Sequence, residues 1–574
     1  MSSCTEPYTL LGFLSKSTTC DAEDNRSLLL RDYATRQINV FLWMSLIAIT
    51  ALLLRKVTKF FKLWARGSLI PGPPCPSFYG HSKLISGANL TDLLSKSHEK
   101  YGPVVKLWLG PTQLLVSIKD PELIREMLLK AEDKLPLTGR AFRLAFGQSS
   151  LFVSSFDKVQ KRRDSLATEL NGKLLERASV IPTKVVDFVV ERIQDITAKG
   201  SLDCIKVSQR LAFTILGATL FGDAFLAWSK ATVYEELLMM IAKDACFWAS
   251  YSVTPFWKQG FWRYQCLCAK LKCLTQDIIQ QCRQNYKLFC RLDQNFPHNE
   301  TTNIGQDAAS SAPHSSSDLM PDSLFLRELD DHLDAREEPY GNITSVMFHG
   351  CLTTAGLISN ILARLVMHPE LQDKIHSEIM MVQKGSQKED QKDVAKMLLL
   401  LATVYESARL LPAGPLLQRC SLKHDLKLKT GVVIPAGAIF VVPLQLVQMD
   451  DSNWGSDASQ FNPYRFLSEA HVTSFTGSAE EPVDAGHSSF VLNDPNENAA
   501  FLPFGSGTRV CVGQKFAILG VATLFASLLE HYEIRLQPGS ENDPKPKMNN
   551  CVLQLLPSPK IVFIKRNSSI NKEA

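Results

Sequence analysis

The 574-residue sequence has almost no charge imbalance. Its 62 Lys and Arg stand against 58 Asp and Glu, a formal net charge of +4. The folded part of the chain lacks the Lys/Arg blocks that track a phosphate backbone, so no nucleic-acid partner is expected. Internal repeats are also missing. Cysteine is not scarce, at 14 residues, but its pattern lacks what a disulfide scaffold or a zinc site needs. The chain is far too long for a scaffold held by disulfides. Cys266, Cys268, Cys273, Cys282 and Cys290 lie close together without a Cys-x-x-Cys pair or a neighbouring pair of histidines, and they read as free thiols along helices. Apolar residues make up 45% and charged residues 21%, an ordinary globular balance in a chain long enough to bury a large core.

What is present begins with an apolar run, Ile38 to Leu54, of about 17 residues, the short end for a membrane span. Its position well inside the chain, with no small-residue cleavage site after it, argues against a removed signal peptide. Arg55, Lys56, Lys59, Lys62 and Arg66 follow, and the preceding stretch is mixed and slightly acidic. The basic side stays in the cytosol. Pro71-Gly72-Pro73-Pro74 then breaks the chain. The organisation expected is a lumenal tail over 1–37, an anchor over 38–54, a basic collar and proline hinge over 55–76, and a catalytic domain over 77–574. A buried core helix is the alternative reading of 38–54.

Beyond the hinge the periodicity is mainly helical. Helices are expected over Leu90–Lys100, Pro121–Lys130, much of 157–291, Ile343–Met367, Lys396–Leu411 and Gln514–His531. Val104–Leu109 and Gln113–Ile118 read as two strands joined by Gly110-Pro111, and Leu416–Val442 alternates like a small sheet. Residues 295–322 are polar, Ser-rich and poor in large apolar side chains, the composition of a disordered insertion. The fold class is mainly α with a minor β region, in one large domain.

The segment that carries chemistry is Phe504-Gly505-Ser506-Gly507-Thr508-Arg509-Val510-Cys511-Val512-Gly513. It resembles the haem-binding signature of the cytochrome P450 family, F-x-x-G-x-R-x-C-x-G, with every fixed position filled. At average composition such a match arises on the order of one time in ten thousand. The resemblance implies the cytochrome P450 fold with haem b as cofactor and Cys511 as the thiolate on its iron. Gly507 and Gly513 would let the backbone turn and approach the porphyrin. Arg509 would pair with a propionate, and Phe504 would keep water from the sulfur. The helix from Gln514 would turn its positive end toward the thiolate. Glu406-Ser407-Ala408-Arg409 resembles the family's E-x-x-R pair, and Phe461-Asn462-Pro463-Tyr464-Arg465-Phe466 its P-E-R-F segment, with Tyr464 in place of Glu. Glu406, Arg409 and Arg465 would then form a buried charge cluster. Arg163 matches a second propionate-binding Arg, although the family's Trp is Val159 here; a solvated basic face is the alternative. Arg419, ten residues past Arg409, fits another propionate contact or an ordinary strand arginine.

The long apolar helix departs from the pattern. Counting back from His368-Pro369-Glu370 aligns His349-Gly350-Cys351-Leu352-Thr353-Thr354 with the family's [A/G]-G-x-[D/E]-T-[T/S]. Gly350 would bring the helix backbone close to the haem, and Thr353 would hydrogen-bond dioxygen at the iron. The acid position is Leu352, which relays no proton. His349 stands where a small residue is expected, and three readings compete: proton donor, iron ligand, or a residue packed against a helix neighbour.

The activity implied is a monooxygenase that inserts one oxygen atom from dioxygen into a hydrophobic small molecule. Its electrons would come from an NADPH-dependent reductase docked on Lys158, Lys161, Arg162 and Lys515, and its membrane would be the endoplasmic reticulum, with the body cytosolic. Two rivals stand beside it: an isomerase or dehydratase of a peroxide-type substrate, and a non-enzymatic haem protein capped by His349. The substrate pocket is expected from Lys134–Ser155 and Phe225–Tyr264, the second rich in Trp and Phe.

Overall fold

A computed structural model describes residues 24–75, 80–81, 90–110, 113–131, 156–172, 174–176, 181, 185–186, 202–249, 259–294, 339–384, 393–412, 414, 416–420, 424–469, 490–537 and 559–566. The polar insertion read over 295–322 and the loop Lys134–Ser155 lie outside them. The chain divides into two units, Met1–Arg66 and Gly67–Ala574.

The described part of the first unit is helical, within α1 (Asp24–Ser68). The apolar run lies inside a longer helix, and the basic collar is helical as well. Arg55 to Arg66 contains neither Gly nor Pro, so nothing breaks the helix before Gly67. Along 31–66 most of the large apolar side chains, Phe41, Trp43 and Ile47 among them, are exposed, and the stretch is long and apolar enough to cross a membrane. Two interior helices meet the same length and composition test, but most of their residues are buried in the second unit.

The second unit starts earlier than residue 77. A β-carbon on Gly67 would sit 2.9 Å from Leu114 Cδ2 and Trp108 Cζ2, and Lys106 N–H donates to Pro71 O at 2.8 Å. The proline hinge therefore packs on the first sheet. That sheet runs β1 (Val104–Trp108), β2 (Leu114–Ile118), β7 (Ile439–Pro443), β4 (Leu416–Cys420). β2 and β7 are parallel, with Val116 opposite Phe440, and the other pairs are antiparallel. The alternating stretch from Leu416 thus splits: β5 (Leu426–Lys427) and β6 (Val433–Ile434) pair separately.

The helices needed below are α2 (Leu90–Tyr101), α3 (Pro121–Lys130), α4 (Phe156–Asn171), α5 (Cys204–Phe221), α6 (Asp223–Leu226), α7 (Ala231–Ala249), α8 (Gln259–Gln294), α9 (Pro339–Met367), α10 (Pro369–Lys384), α11 (Leu398–Leu410), α12 (Leu444–Gln448), α13 (Asp451–Trp454) and α14 (Gln514–His531). Their ends follow local chemistry. Asp120 caps α3 by accepting from Leu123 N–H, with Pro121 in the first turn. Asp203 caps α5, and Gly222 at φ 64° closes it.

Among the described residues the two largest apolar clusters of the core meet along α9. One takes the N-terminal half of α9, Ile343 to Cys351, with α5, α7 and α8; the other takes Ala355 to Leu365 with α10, α11 and α14. The aromatics of the second substrate loop divide accordingly. Phe225, Trp228, Phe261 and Tyr264 are buried in the first cluster, and Trp262 is exposed. Of the clustered thiols, Cys268 and Cys282 are buried and Cys266 and Cys273 are exposed. No group of metal-ligating side chains occurs among the described residues.

Candidate active site

The Cys511 loop is built by its own backbone. Gly505 N–H donates to Leu502 O at 2.9 Å, Val510 N–H to Gly507 O at 3.1 Å, and Cys511 N–H to Phe504 O at 2.9 Å. Gly505 and Gly507 hold φ of 74° and 71°, where a side chain is strained. Gly507 has a second reason to be glycine: its β-carbon would lie 2.4 Å from Leu128 O at the end of α3. Gly513 differs from expectation. Its φ is −101°, and the nearest neighbour to an added β-carbon is Leu170 Cδ1 at 3.7 Å. It serves as the N-cap of α14, with no side-chain cap bond, so unsatisfied N–H groups open just beyond Cys511. The cysteine itself is exposed, unlike the buried Cys204, Cys351 and Cys420. Gly505 was not singled out by sequence; its mark was the first glycine of the Phe-Gly-x-Gly run.

Two arginines converge on this loop from other elements, and the loop carries a third, Arg509. Arg163 of α4 donates to Val510 O at 2.8 Å. Arg419 of β4 donates to Arg509 O at 3.2 Å and to Gln418 O at 2.8 Å. All three, Arg163, Arg419 and Arg509, are buried. Arg163 is therefore no part of a solvated basic face, and Val159, at the family's Trp position, is buried beside it on α4. Burial pushes the Arg419 guanidinium down to about 10, and repulsion from Arg509 and Arg163 adds to the shift. Burial lowers Arg163 too, against the attraction of Cys511 and Asp164. Among the described residues neither Arg163 nor Arg419 has a carboxylate partner, and Arg419 Nε is buried with no partner. Buried like charges of this kind call for an anion.

The charge cluster is complete. Arg409 grips Glu406 through Nε at 2.7 Å and Nη2 at 2.8 Å, a bidentate pair in which both side chains are fully buried. Arg465 Nε donates to Glu406 Oε1 at 3.0 Å and Arg465 Nη2 to Asp457 Oδ2 at 2.9 Å. Hydrogen bonds from Asn462 and from Arg465 hold the Asp457 carboxyl below its ordinary value. Arg409 Nη1 donates to Ala458 O at 2.7 Å, and its guanidinium lies 4.9 Å from the Trp454 ring centre. Tyr464, in the family's Glu position, turns outward to accept from Lys374 at 3.1 Å. Gln448, at the end of α12, was missed by sequence reading. A single buried Gln carries no motif, yet it joins this cluster to the cysteine loop.

On α9 the expected register brings Thr353 to an open face. Most of the helix is buried, yet Thr353 is exposed and His349 and Leu352 are half-buried. Thr353 Oγ1 donates to His349 O at 2.7 Å. The two core clusters meet between Leu352 and Ala355, and the cysteine loop spans the same junction: Val512 and Phe516 pack on the first cluster, Phe504 on the second. Thr353 thus lies at the junction of the two clusters against which the Cys511 loop packs. Gly350 does not serve as expected. Its missing β-carbon would lie 2.6 Å from Leu216 Cδ2, so the glycine accommodates α5 rather than the haem side.

The cytochrome P450 family model matches residues 70–564. Among curated proteins the chain is 25% identical over 472 residues to 11-oxo-beta-amyrin 30-oxidase of Glycyrrhiza uralensis, covering 80% of each chain. It is 24% identical to cytochrome P450 4F11 of Homo sapiens, covering 85% of this chain and 88% of the relative. It is 25% identical to cytochrome P450 734A1 of Arabidopsis thaliana, with 83% and 86% covered. A cysteine loop, a buried Glu-Arg-Arg cluster and a family match over nearly the whole second unit agree: the chain belongs to the cytochrome P450 family of oxidoreductases.

Proposed function

We propose that the chain holds haem b with Cys511 as its thiolate ligand and inserts one oxygen atom from dioxygen into a hydrophobic small molecule, with electrons from a separate NADPH-dependent reductase. One observation carries this reading: three buried arginines, one with an unpartnered Nε, surround a loop that exposes a cysteine. A ring bearing carboxylates and a central metal answers both needs, carboxylates for the guanidinium groups and iron for the sulfur.

The bound haem supplies oxygen activation, and the chain's residues do the rest. Arg163, Arg419 and Arg509 would neutralise and orient the carboxylates. Gly507, seated on Leu128 O, fixes the approach of the loop. Phe504 and Val512 would crowd water from the thiolate, and the N-terminus of α14 would stabilise its charge. Thr353 Oγ1, its hydrogen committed to His349 O, keeps lone pairs to accept a hydrogen bond from an oxygen in the gap. Lys161 and Lys515, both exposed, would with Lys158 and Arg162 receive an acidic redox partner. Helix α1 would anchor the chain in the endoplasmic reticulum, with residues 1–37 lumenal and the body cytosolic.

The test is optical. The reduced carbon monoxide complex is expected to give the long-wavelength thiolate band, and Cys511→Ser is expected to lose it; a variant that keeps the band overturns the ligand assignment. Leu352 favours a second reading, an isomerase or dehydratase of a peroxide-type substrate, which needs no proton relay. Reductase-dependent oxygen uptake separates the two. Protease added to sealed microsomes should digest the body, and survival of the body intact reverses the orientation.

A further inference from the structure

The long helix keeps Thr353, loses the neighbouring acid to Leu352, and replaces a small residue by His349. The geometry of α9 connects these changes. At about 100° per residue, His349 and Thr353 lie about 40° apart on one face, one turn apart along the axis. Cys351, about 160° round from His349, is buried. On one flank Gly350 abuts Leu216. On the other Phe348 is buried, its ring edge-on to the His349 ring with centres 5.2 Å apart. His349 is half-buried and shares the helix face on which Thr353 is exposed, at the junction of the two clusters on which Val512, Phe516 and Phe504 of the cysteine loop also pack. There Thr353 Oγ1 is already tied to the His349 carbonyl at 2.7 Å, so the hydroxyl and the imidazole belong to one turn. Leu352 packs against the same apolar cluster as Val512 and Phe516 instead.

We infer that the His349 imidazole takes over the role of the missing acid. It would donate a hydrogen bond, and during turnover a proton, to a ligand on the haem iron, with Thr353 Oγ1 as the second contact. The inference rests on the haem-thiolate reading above. The balance is that of the proposed reaction. Two electrons from the reductase and two protons turn one oxygen atom of dioxygen into water, and the other atom goes to substrate. The imidazole passes protons on from solvent and is regenerated each time. An imidazole, which gives up and takes back a proton at its ring nitrogens, suits that role.

The test needs neither substrate nor reductase. Dithionite-reduced protein is mixed with carbon monoxide, and the C–O stretch is read by infrared spectroscopy beside the optical spectrum. Loss of a distal hydrogen-bond donor raises this frequency. His349→Leu is expected to shift it upward, and His349→Gln, which keeps an N–H donor, is expected to stay near the wild type. With a reductase added, His349→Leu should lose a several-fold larger share of electrons as hydrogen peroxide, and Leu352→Asp in that background should recover part of it. An unchanged stretch in His349→Leu overturns the inference. So does a resting ferric spectrum with a nitrogen ligand that only His349→Leu removes, since the imidazole would then bind the iron. A wild-type complex with no thiolate band would instead bring down the haem-thiolate reading, and this inference with it.

Discussion

Gln448 and Arg409 exchange hydrogen bonds across the interior. The Gln448 amide donates to the Arg409 carbonyl at 2.7 Å, and an Arg409 guanidinium nitrogen donates to the Gln448 carbonyl. Gln448 Oε1 also accepts from Leu502 N–H at 2.9 Å, and Leu502 O holds Gly505 N–H in turn. The ion cluster and the cysteine loop are thereby one continuous structure. Gln448→Leu strands a carbonyl and an N–H, at about 1–3 kcal/mol each. The variant is expected to unfold at lower urea and to retain less haem after gel filtration. Wild-type haem retention would refute the link between cluster and loop.

Glu406→Gln leaves Arg409 buried beside a neutral partner. Breaking a buried pair costs about 3–5 kcal/mol, a large part of an ordinary domain's stability. Arg465 is more exposed, and its loss leaves Glu406 still paired with Arg409, so Arg465→Ala is expected to cost less. Soluble yield and thermal midpoint should rank wild type, then Arg465→Ala, then Glu406→Gln. The reverse order of the two variants would mean that Glu406 is not the hub.

Gly507→Ala meets two obstacles, a φ of 71° and the Leu128 carbonyl at 2.4 Å. A backbone carbonyl cannot swing away as a side chain can. Strain of about 1–3 kcal/mol should appear as lowered haem content. Gly513→Ala faces neither obstacle within the chain and should lose less haem. Equal loss from both would point to the porphyrin, rather than the loop, as the constraint on Gly507.

His98 on α2 gives a pH-dependent stability. Its Nδ1–H donates to Gly102 O at 2.9 Å, and Nε2 meets Ser117 Oγ at 2.8 Å. Burial lowers its pKa, against the Gly102 bond and with the help of Lys119. The unfolded chain therefore takes up the proton first. Stability from this group is complete above the unfolded pKa of about 6.5 and declines as pH falls below it toward the folded value. His98→Gln should be less stable than wild type at about pH 7.5 and should lose less on going to about pH 5.5, where the wild-type imidazole is the protonating group. Parallel melting curves at the two pH values, with the same drop for both proteins, would show that His98 contributes nothing to acid sensitivity.

Local sequence determined the pieces. The helices Pro121–Lys130 and Gln514–His531 have the bounds that their caps and periodicity dictate. The Cys511 loop was legible because its glycines and arginine stand at fixed offsets within ten residues, and the E-x-x-R pair because i, i+3 spacing brings both charges to one face. Tertiary structure decided which neighbours those pieces meet. Gly350 read as a haem-facing glycine, but a helix has several faces, and only the packing of α5 shows that Leu216 fills the space. Arg163 and Arg419 could each have been surface residues; their burial beside Arg509 comes from α4 and β4 folding onto one loop from 347 and 90 residues away. Gln448 had no motif at all, since a side chain that bridges two distant backbones leaves its mark in the hydrogen bonds it completes and not in the residues beside it.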